Sequence, residues 1–310
     1  MKFVITALLG LLTSTTATAQ QMSADTPNNA GPLPGTEIYL ANLEKRDGKF
    51  HILAPHNITN KKGYDNQPFF TLDSTAVLYT SEELDLRTDV WQYSITSGAK
   101  TQITNTPNNS EYSPKIIPDG SGISVIRERE NRGGQQVWRY KFGESKGGEA
   151  LLNLSPTGYH AWGQGTDYLA VFVLGEPATL QLVERKTGET SVIFENIGRG
   201  LFSLPDGSGY TFTEPRTDDS VIVYHFDIKS REVEPLFALP KGNEFYTLMK
   251  NEDAPLGVSF LSASSSKLVY RETPSDDWHE IADFSNEGIK GISRLAVSPN
   301  GKHIALVAAE

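Results

Sequence analysis

The side chains best suited to chemistry recur at equivalent positions of a repeating pattern along the chain. Asp65 and Glu111 each lie three residues before a proline, Pro68 and Pro114. Acidic, aromatic and basic side chains that share one position of a repeat can form a rim that grips a ligand or a peptide. The predicted binding residues of this rim are Asp65, Glu111, Tyr112, Tyr159, His160, Arg199, Glu244 and Tyr246, and Arg294 falls at the same position of the repeat.

These residues also have an interpretation that needs no ligand. Each of the two acids could bond backbone amides of neighbouring strands, because buried polar groups are nearly always hydrogen-bonded. The sequence favours this structural role for Asp65 and Glu111. For His160 and Arg199 the structural and the binding interpretations are equally open.

Metal-dependent or hydrolytic catalysis would need several imidazoles or carboxylates that converge on one point. The chain has 6 His, and only His160 falls on an innermost strand near the mouth of the predicted fold. The chain contains no Gly-x-Ser-x-Gly motif of a serine hydrolase. We therefore assign no catalytic residue, no metal ligand and no cofactor. A calcium ion in the channel, held by carbonyl oxygens and by Asp65 or Glu111, is an open alternative, because hard cations need only oxygen ligands.

Four carboxylates are clustered in the longest loop between a predicted second and third strand. They are Glu82, Glu83, Asp85 and Asp89. Such a cluster could bind calcium weakly, but the favoured interpretation is an acidic loop exposed to solvent.

Composition excludes several classes of protein. The 310 residues include 28 Lys and Arg, 38 Asp and Glu, a formal charge of −10 and no Cys. A disulfide framework, a cysteine nucleophile and a lipidated cysteine anchor are therefore excluded. The negative charge argues against a nucleic-acid partner, because that binding depends on Lys and Arg along the phosphates. The 38% of hydrophobic residues is enough to form a large core.

The N-terminal segment has the order of a secretory signal. Lys2 precedes an apolar run, and the small residues Ala17 and Ala19 stand at positions −3 and −1 before Gln20. The pattern predicts a signal peptide over residues 1–19, a flexible leader rich in Pro, Gly and Asn over 20–36, and one domain over 37–310. No other stretch approaches the ~18 apolar residues of a membrane span. A soluble exported protein, periplasmic or secreted, is expected.

A turn tetrapeptide that follows an apolar stretch recurs along the domain. The intervals between its Asp or Asn residues are 46, 87 and 94 residues, which are one or two multiples of about 45. The Asp and Asn side chains are predicted to form these turns by bonding the backbone two residues ahead. The copies are TLDS at 71–74, IPDG at 117–120, LPDG at 204–207 and SPNG at 298–301, with degenerate copies in WGQG at 162–165 and LMKNED at 248–253.

Each repeat contains four short apolar strands, and no window shows a sustained helical period. Four antiparallel strands per ~45 residues are typical of a propeller blade. The domain begins at Glu37 with a third strand and ends with a first strand from Arg294 and a second from His303. Since each terminal hairpin alone would leave an unpaired edge, we predict an all-β, six-bladed propeller with a split first blade closed by both termini. The third-strand aromatic residues predicted to pack between blades are Tyr39, Trp91, Trp138, Tyr224 and Tyr270.

The repeats resemble a known family. Residues 57–120, from NITN to IPDG, resemble the TolB-like β-propeller repeat, with an Ile-Thr strand end, an acid three residues before Pro, a Pro-Asp-Gly turn and an aromatic-bearing strand. The resemblance covers nearly all of residues 37–310 and implies a propeller. Similar repeats occur in the N-terminal propellers of prolyl oligopeptidase-type enzymes. TolB itself carries a separate α/β domain ahead of its propeller, so the resemblance concerns the propeller portion.

These features together predict an exported, non-catalytic propeller that binds a protein or peptide partner in the cell envelope. We expect a monomer with no nucleic-acid partner and no membrane span. Because propellers host many functions, two alternatives are kept. One is a lactonase-like or oligosaccharide-lyase-like enzyme that uses a channel metal near Glu111 and His160. The other is a sensor of a small ligand or glycan.

Overall fold

The computed structural model describes residues 33–129, 134–163 and 165–310. The predicted signal peptide and residues 20–32 of the predicted leader lie outside the described residues. None of the described residues forms a helix with the length and hydropathy of a membrane span. The described chain forms one short 3-10 helix, Ser285–Glu287, and the strands β1 (Thr36–Arg46), β2 (Lys49–Asn57), β3 (Asp65–Phe70), β4 (Ala76–Glu82), β5 (Thr88–Ser94), β6 (Lys100–Gln102), β7 (Asn109–Ile116), β8 (Gly122–Arg129), β9 (Gln135–Lys141), β10 (Glu149–Ala150), β11 (Thr157–Trp162), β12 (Tyr168–Val173), β13 (Thr179–Glu184), β14 (Thr190–Glu195), β15 (Leu201–Ser203), β16 (Gly209–Pro215), β17 (Val221–Asp227), β18 (Val233–Ala238), β19 (Tyr246–Lys250), β20 (Val258–Ser264), β21 (Lys267–Arg271), β22 (His279–Asp283), β23 (Arg294–Val297) and β24 (His303–Ala309).

These strands form six antiparallel sheets of four strands each. Blades 2 to 6 are continuous in sequence, namely β3–β6, β7–β10, β11–β14, β15–β18 and β19–β22. Blade 1 has the strand order β23, β24, β1 and β2, so it takes two strands from each end of the domain. The register of β1 on β24 runs from the pair Thr36 and Ala309 to the pair Asn42 and His303. The predicted six-bladed propeller with a split first blade is confirmed.

The second strand of every blade is mostly buried, because a neighbouring blade covers each of its two faces. The strand β12, YLAVFV, is buried from Leu169 to Val173, and β24 is buried from Ile304 to Ala308. The fourth strands lie at the outer edge of the ring and are more exposed. In β14, Thr190–Glu195, half-buried and exposed residues follow one another for four residues. Continuous burial therefore marks the second strands, whereas a period of two appears in outer strands such as β14.

The core of the protein consists of six apolar clusters, and each lies between two consecutive blades. Between blades 1 and 2, for example, Ile38 and Val307 pack against Phe70 and Tyr79. The cluster between blades 6 and 1 completes the ring. The predicted packing of the third-strand aromatic residues between blades is confirmed, since all of them contact one of these clusters.

The recurring turns link the first and second strands of each blade, and their Asx side chains act as predicted. In five of the six blades, all except blade 4, the side-chain oxygen of an Asp or Asn accepts the backbone N–H two residues ahead. A glycine follows the Asp or Asn in three of these turns and has a positive φ, 72° at Gly120, 73° at Gly207 and 68° at Gly301. The acceptor and donor pairs are Asp73 with Thr75 at 3.1 Å, Asp119 with Ser121 at 2.8 Å, Asp206 with Ser208 at 2.9 Å, Asn251 with Asp253 at 3.2 Å and Asn300 with Lys302 at 3.0 Å.

Candidate functional site

A cavity lies at the centre of the ring, where the innermost strands of the six blades meet. Including its open mouth it measures about 570 Å³. Each blade contributes wall residues that lie in or just before its innermost strand. Blades 1 to 6 contribute, in that order, Arg294, Gln67, Ser113, Tyr159, Arg199 and Phe245.

Two β-bulges shape the wall on the side of blades 2 and 3. Gln67 and Ser113 both have a left-handed backbone, with φ of 56° and 51°, and each precedes a proline. The register of the innermost strand on its neighbour shifts at both places. The two bulges are also joined, because the Ser113 N–H donates to Gln67 Oε1 at 2.7 Å. Left-handed backbone is uncommon for residues other than glycine, and it marks a site where the surrounding structure holds some strain.

The charged side chains of the wall are cationic. They are Lys115, Arg199 and Arg294. Arg199 is paired with Glu244, whose Oε1 lies 3.2 Å from its Nη1. Within the described residues no carboxylate lies within 4.0 Å of the cationic nitrogens of Lys115 or Arg294. Burial, with a smaller contribution from Arg294, lowers the pKa of Lys115 to about 8.

Lys115 and Arg294 contact aromatic rings instead of carboxylates. The Lys115 Nζ lies 4.7 Å from the centre of the Phe69 ring. The Arg294 guanidinium lies 4.0 Å from the centre of the Phe245 ring and 5.4 Å from that of Tyr159. Its Nη2 also donates to the Tyr159 hydroxyl at 2.9 Å. Cation–π contacts are weak compared with a desolvated ion pair, so both cations can still accept an anionic partner.

His160 forms part of the wall as a neutral imidazole. Its Nε2 lies 2.8 Å from the Ser124 Oγ, which also accepts the Trp162 Nε1–H at 2.8 Å. Nε2 is the acceptor that the described residues offer to the Ser124 hydroxyl proton, so Ser124 is assigned as the donor and the proton of the neutral His160 is placed on Nδ1. Burial, with a smaller contribution from Lys115, lowers the pKa of His160 to about 3. The Nδ1 and the Ser113 Oγ are buried and have no hydrogen-bond partner among the described residues.

Comparison with known proteins establishes the fold type. No protein-family model and no curated protein matches the chain. A solved structure described as "putative TolB" from Agrobacterium tumefaciens matches with a TM-score of 0.63 and 15% identity, covering 90% of this chain and 99% of that chain. The chain therefore folds as a TolB-like propeller. An oligogalacturonate lyase in complex with manganese has a TM-score of 0.50 and 13% identity, covering 79% and 88% of the two chains. A Nidogen/Laminin complex has a TM-score of 0.51 and 11% identity, covering 77% and 86%.

Four of the eight predicted rim residues of this TolB-like propeller line the cavity, and the other four lie elsewhere. Tyr159, His160, Arg199 and Tyr246 line the cavity, although the Tyr246 side chain is almost fully buried and its hydroxyl donates to Thr211 at 2.7 Å. The other four predicted residues do not line it. Tyr112 packs against the apolar cluster between blades 3 and 4, Glu244 pairs with Arg199, and Asp65 and Glu111 are fully buried.

The predicted backbone-amide partners of the two acids are wrong, because both carboxylates bind hydroxyls. Glu111 accepts hydrogen bonds from Thr106 at 2.6 Å and from Tyr140 at 2.9 Å, and Arg127 Nε lies 3.4 Å away. Asp65 Oδ1 accepts the Ser81 hydroxyl, and its Oδ2 has no partner among the described residues. Burial raises the pKa of both carboxyls to about 7.

The Ile-Thr strand end of the TolB-like repeat has a structural explanation here. The Thr104 hydroxyl accepts the Val90 N–H at 2.8 Å and donates to Asp89 at 3.0 Å. In blade 1, Thr59 makes the same pair of bonds, with the Ile38 N–H at 2.9 Å and with Glu37. In blades 1 and 2 one hydroxyl thus satisfies a buried amide and a buried acid together, and it connects the end of the outer strand to the third strand.

The acidic loop does not gather its carboxylates around one point. Glu82 accepts the Tyr64 N–H at 2.9 Å, Glu83 accepts the Trp91 Nε1–H at 2.8 Å, and Asp85 pairs with Arg87. Asp89 is buried rather than exposed to solvent, because it serves the Thr104 contact described above. Across residues 33–129, 134–163 and 165–310, no three His, Cys, Asp or Glu side chains form a group that could hold a metal ion.

Lys115, Phe245 and Ser113 belong to the cavity but were missed by sequence reasoning. All three are adjacent to residues of the repeat that the sequence did place, at the acid-to-proline motif and at Tyr246. Simple alternation along β7 fails after Tyr112, because the bulge shifts the register there. A bulge signal was available in the repeated acid-x-x-Pro spacing, since proline inside a strand is confined to edges and bulges.

Proposed function

We propose that this protein is an exported, non-catalytic propeller that binds a protein or peptide partner in the cell envelope through the mouth of the central cavity. The observation that carries the proposal is the arrangement of Arg294 with Phe245 and Tyr159 at that cavity. Arg and Tyr are enriched among the residues that dominate protein–protein binding energy. Here they converge from three different blades, so the ring as a whole positions them.

The face that bears the mouth has a second feature suited to a partner. The loop between β4 and β5 exposes two leucines, and Leu84 is 106% and Leu86 71% exposed. This loop lies on the same face as the fourth-to-first strand connections, because the end of β4 pairs with the beginning of β3 through Ser81 and Asp65. Exposed apolar side chains beside a polar rim are typical of a protein contact surface.

The fourth-to-first strand connections at this face are long. They run between β6 and β7, β10 and β11, and β18 and β19, and each spans six or more residues. The turns on the opposite face are occupied by the Asx motif and its glycines. Loops that are free of such backbone demands are where binding residues accumulate on a rigid scaffold.

Export is the part of the proposal that rests on residues 1–19. The apolar run after Lys2, followed by Ala17 and Ala19, is the support for it. A partner in the periplasm or outside the cell follows from that export.

The test is affinity capture from an envelope extract with the mature protein, followed by mass spectrometry and by titration of the captured partner. Leu84→Ser and Arg199→Ala should each weaken binding at least tenfold, about 1.4 kcal/mol. The matched controls lie on the opposite face. They are Leu72→Ser, since Leu72 is 56% exposed in a turn between β3 and β4, and Lys302→Ala in the turn between β23 and β24.

Equal losses in both sets of variants would place the site elsewhere. The same conclusion would follow if only the control variants lost the partner.

A further inference from the structure

We propose that the central cavity is a carboxylate-binding site, in which Lys115 and Arg294 hold the anion and the Ser113 hydroxyl and the His160 Nδ1–H supply neutral donors. The inference deepens the proposed function and rests on it in one respect, that the ligand is a peptide whose acidic side chain or C-terminus enters the mouth. The ligand of the cavity is then a carboxylate, and the partner supplies it from an acidic side chain or from its C-terminus.

The charge of the cavity is opposite to the charge of the protein. The chain carries a formal charge of −10, yet the ionised side chains of the cavity wall are Lys115, Arg199 and Arg294. Arg199 already has Glu244 as its partner. A cleft lined by one sign of charge focuses the field and raises the local concentration of counter-ions. The field at this mouth therefore favours an anion despite the acidic surface.

Two buried hydrogen-bond donors of the cavity wall have no acceptor among the described residues. The Ser113 residue is 5% exposed and His160 1% exposed, and neither the Ser113 Oγ nor the His160 Nδ1 has a partner among the described residues. Leaving a buried donor unpaired is unfavourable, so such groups are rare and point to a missing partner. A carboxylate oxygen in the cavity is an acceptor with two lone pairs and can pair with such donors.

The wall is built to hold this arrangement before a ligand arrives. Lys115 follows directly after the bulge of Ser113 and Pro114, and the two left-handed bulge residues are joined by the Ser113 to Gln67 bond. Arg294 lies over the Phe245 ring at 4.0 Å and donates a hydrogen bond to Tyr159. Side chains whose positions are fixed in advance lose little entropy on binding. The lowered pKa of Lys115 indicates that its charge lacks compensation until an anion binds.

The shape of the donors favours a carboxylate. A guanidinium offers five N–H donors in a planar fork that matches two oxygens of a carboxylate. In Arg294, one Nη2–H is used by Tyr159, and the structure shows no other hydrogen bond to this guanidinium from the described residues. Lys115 adds a point charge that tolerates many orientations. In a peptide partner, the groups with this chemistry are Asp, Glu and the C-terminus.

The test uses the full chain and calorimetric titration with three probes. The first is the blocked peptide acetyl-Ala-Glu-Ala-amide, the second is its Gln counterpart, and the third is free glutarate, which separates a peptide source from a small acid. We expect the Glu peptide to bind with a Kd in the millimolar range or tighter, and the Gln peptide to bind at least about tenfold more weakly. Lys115→Met should reduce binding of the Glu peptide by at least about tenfold, whereas the control Lys302→Met should not change it.

A melting curve separates a binding role of Lys115 from a structural one. Removing an uncompensated, desolvated charge should leave the melting temperature of Lys115→Met equal to or above that of the parent, while affinity falls. Arg294→Lys keeps the charge and removes the fork, and should retain part of the affinity. If Lys115→Met melts well below the parent, Arg294→Lys still decides the matter, because unchanged binding in that variant would overturn the role of the fork.

The remaining outcomes also divide the two proposals. Glutarate that binds while the Glu peptide does not would support the carboxylate site and contradict a peptide partner. Equal binding of the Glu and Gln peptides would overturn the carboxylate site and leave the peptide partner standing. No binding of the Glu peptide or of glutarate up to about 10 mM, or full binding by Lys115→Met, would overturn the inference.

Discussion

Arg294 of blade 1 donates a hydrogen bond of 2.9 Å to the hydroxyl of Tyr159 in blade 4, so the contact joins opposite sides of a six-bladed ring. The two residues are 135 positions apart in the chain. Within residues 33–129, 134–163 and 165–310, the other side-chain hydrogen bonds between blades join neighbouring blades, such as that of Ser124 with His160, whereas this one crosses the cavity. It couples the blade that closes the ring to the blade that faces it.

The first prediction concerns that coupling. In a double-mutant cycle with Arg294→Met and Tyr159→Phe, the free energies of unfolding should be non-additive by about 1 kcal/mol, because a charge-assisted hydrogen bond is lost once in either variant. Chemical denaturation measures all four species. Tyr159→Phe combined with the distant Lys302→Met should be additive. A coupling near zero in the first cycle would mean that the bond contributes nothing measurable.

The second prediction concerns ring closure. Deleting residues 302–310 removes β24, which pairs with β1 along seven positions from Thr36 to Asn42 and with β23 along four. We expect loss of cooperative thermal unfolding, because the deletion exposes strand edges and two apolar clusters. Differential scanning calorimetry is the measurement, with Lys302→Ala in the full chain as the control. A truncated chain that melts within a few degrees of the parent would contradict this closure.

The third prediction concerns pH. Burial raises the pKa of Glu111 from 4.5 to about 7 in the folded protein. Between these values the folded state holds a proton that the unfolded state has lost, so the contribution of Glu111 to stability is present at low pH and declines as the pH rises towards 7. His160 titrates in the opposite sense, because burial lowers its pKa to about 3. The prediction is therefore stated as a difference between the parent and Glu111→Gln.

The free energy of unfolding of the parent, relative to Glu111→Gln, should fall by about 2 kcal/mol between pH 5 and pH 8. Urea denaturation at several pH values measures this difference. Glu195→Gln, at an exposed position of β14, should show no such trend. A difference between parent and Glu111→Gln that stays constant across this range would contradict a buried, protonated Glu111.

The fourth prediction concerns processing. Export should be accompanied by cleavage after Ala19, because small residues at 17 and 19 suit the site of a signal peptidase. N-terminal sequencing of the exported protein should begin at Gln20. Ala19→Arg should abolish this cleavage, whereas Thr16→Ser should not. A mature chain that starts at another residue would contradict the predicted boundary.

The architecture could be predicted from the sequence because local interactions specify its turns and strands. The Asx turns are decided by side chains that bond two residues ahead, so Asp119 and Gly120 specify a turn whatever surrounds them. Strands with buried runs or period-two alternation are equally local. The recurrence of turn and strands near 45 residues then predicts blades, and the half-repeats at Glu37 and His303 predict how the ring closes.

The residues of the binding rim were harder to predict from the sequence, because membership of the rim depends on the direction in which each side chain points. Glu111 and Lys115 lie four residues apart in the same strand, yet Glu111 is buried among hydroxyls and Lys115 lines the cavity. Between them the chain passes through the bulge at Ser113, where the register on β8 shifts. Alternation can be projected along a regular strand, but a one-residue irregularity reverses the faces beyond it.

The sequence by itself therefore determined the blades, their number and the closure, since these follow from turns, strand periods and the need to pair every edge. Only the tertiary structure decided the composition of the cavity. The contacts of Arg294 with Tyr159 and Phe245 join residues of three blades. The distances between these residues depend on how the six blades pack against one another around the ring. No local pattern encodes that packing, because each blade contributes one or a few side chains to a site that exists once the ring is closed.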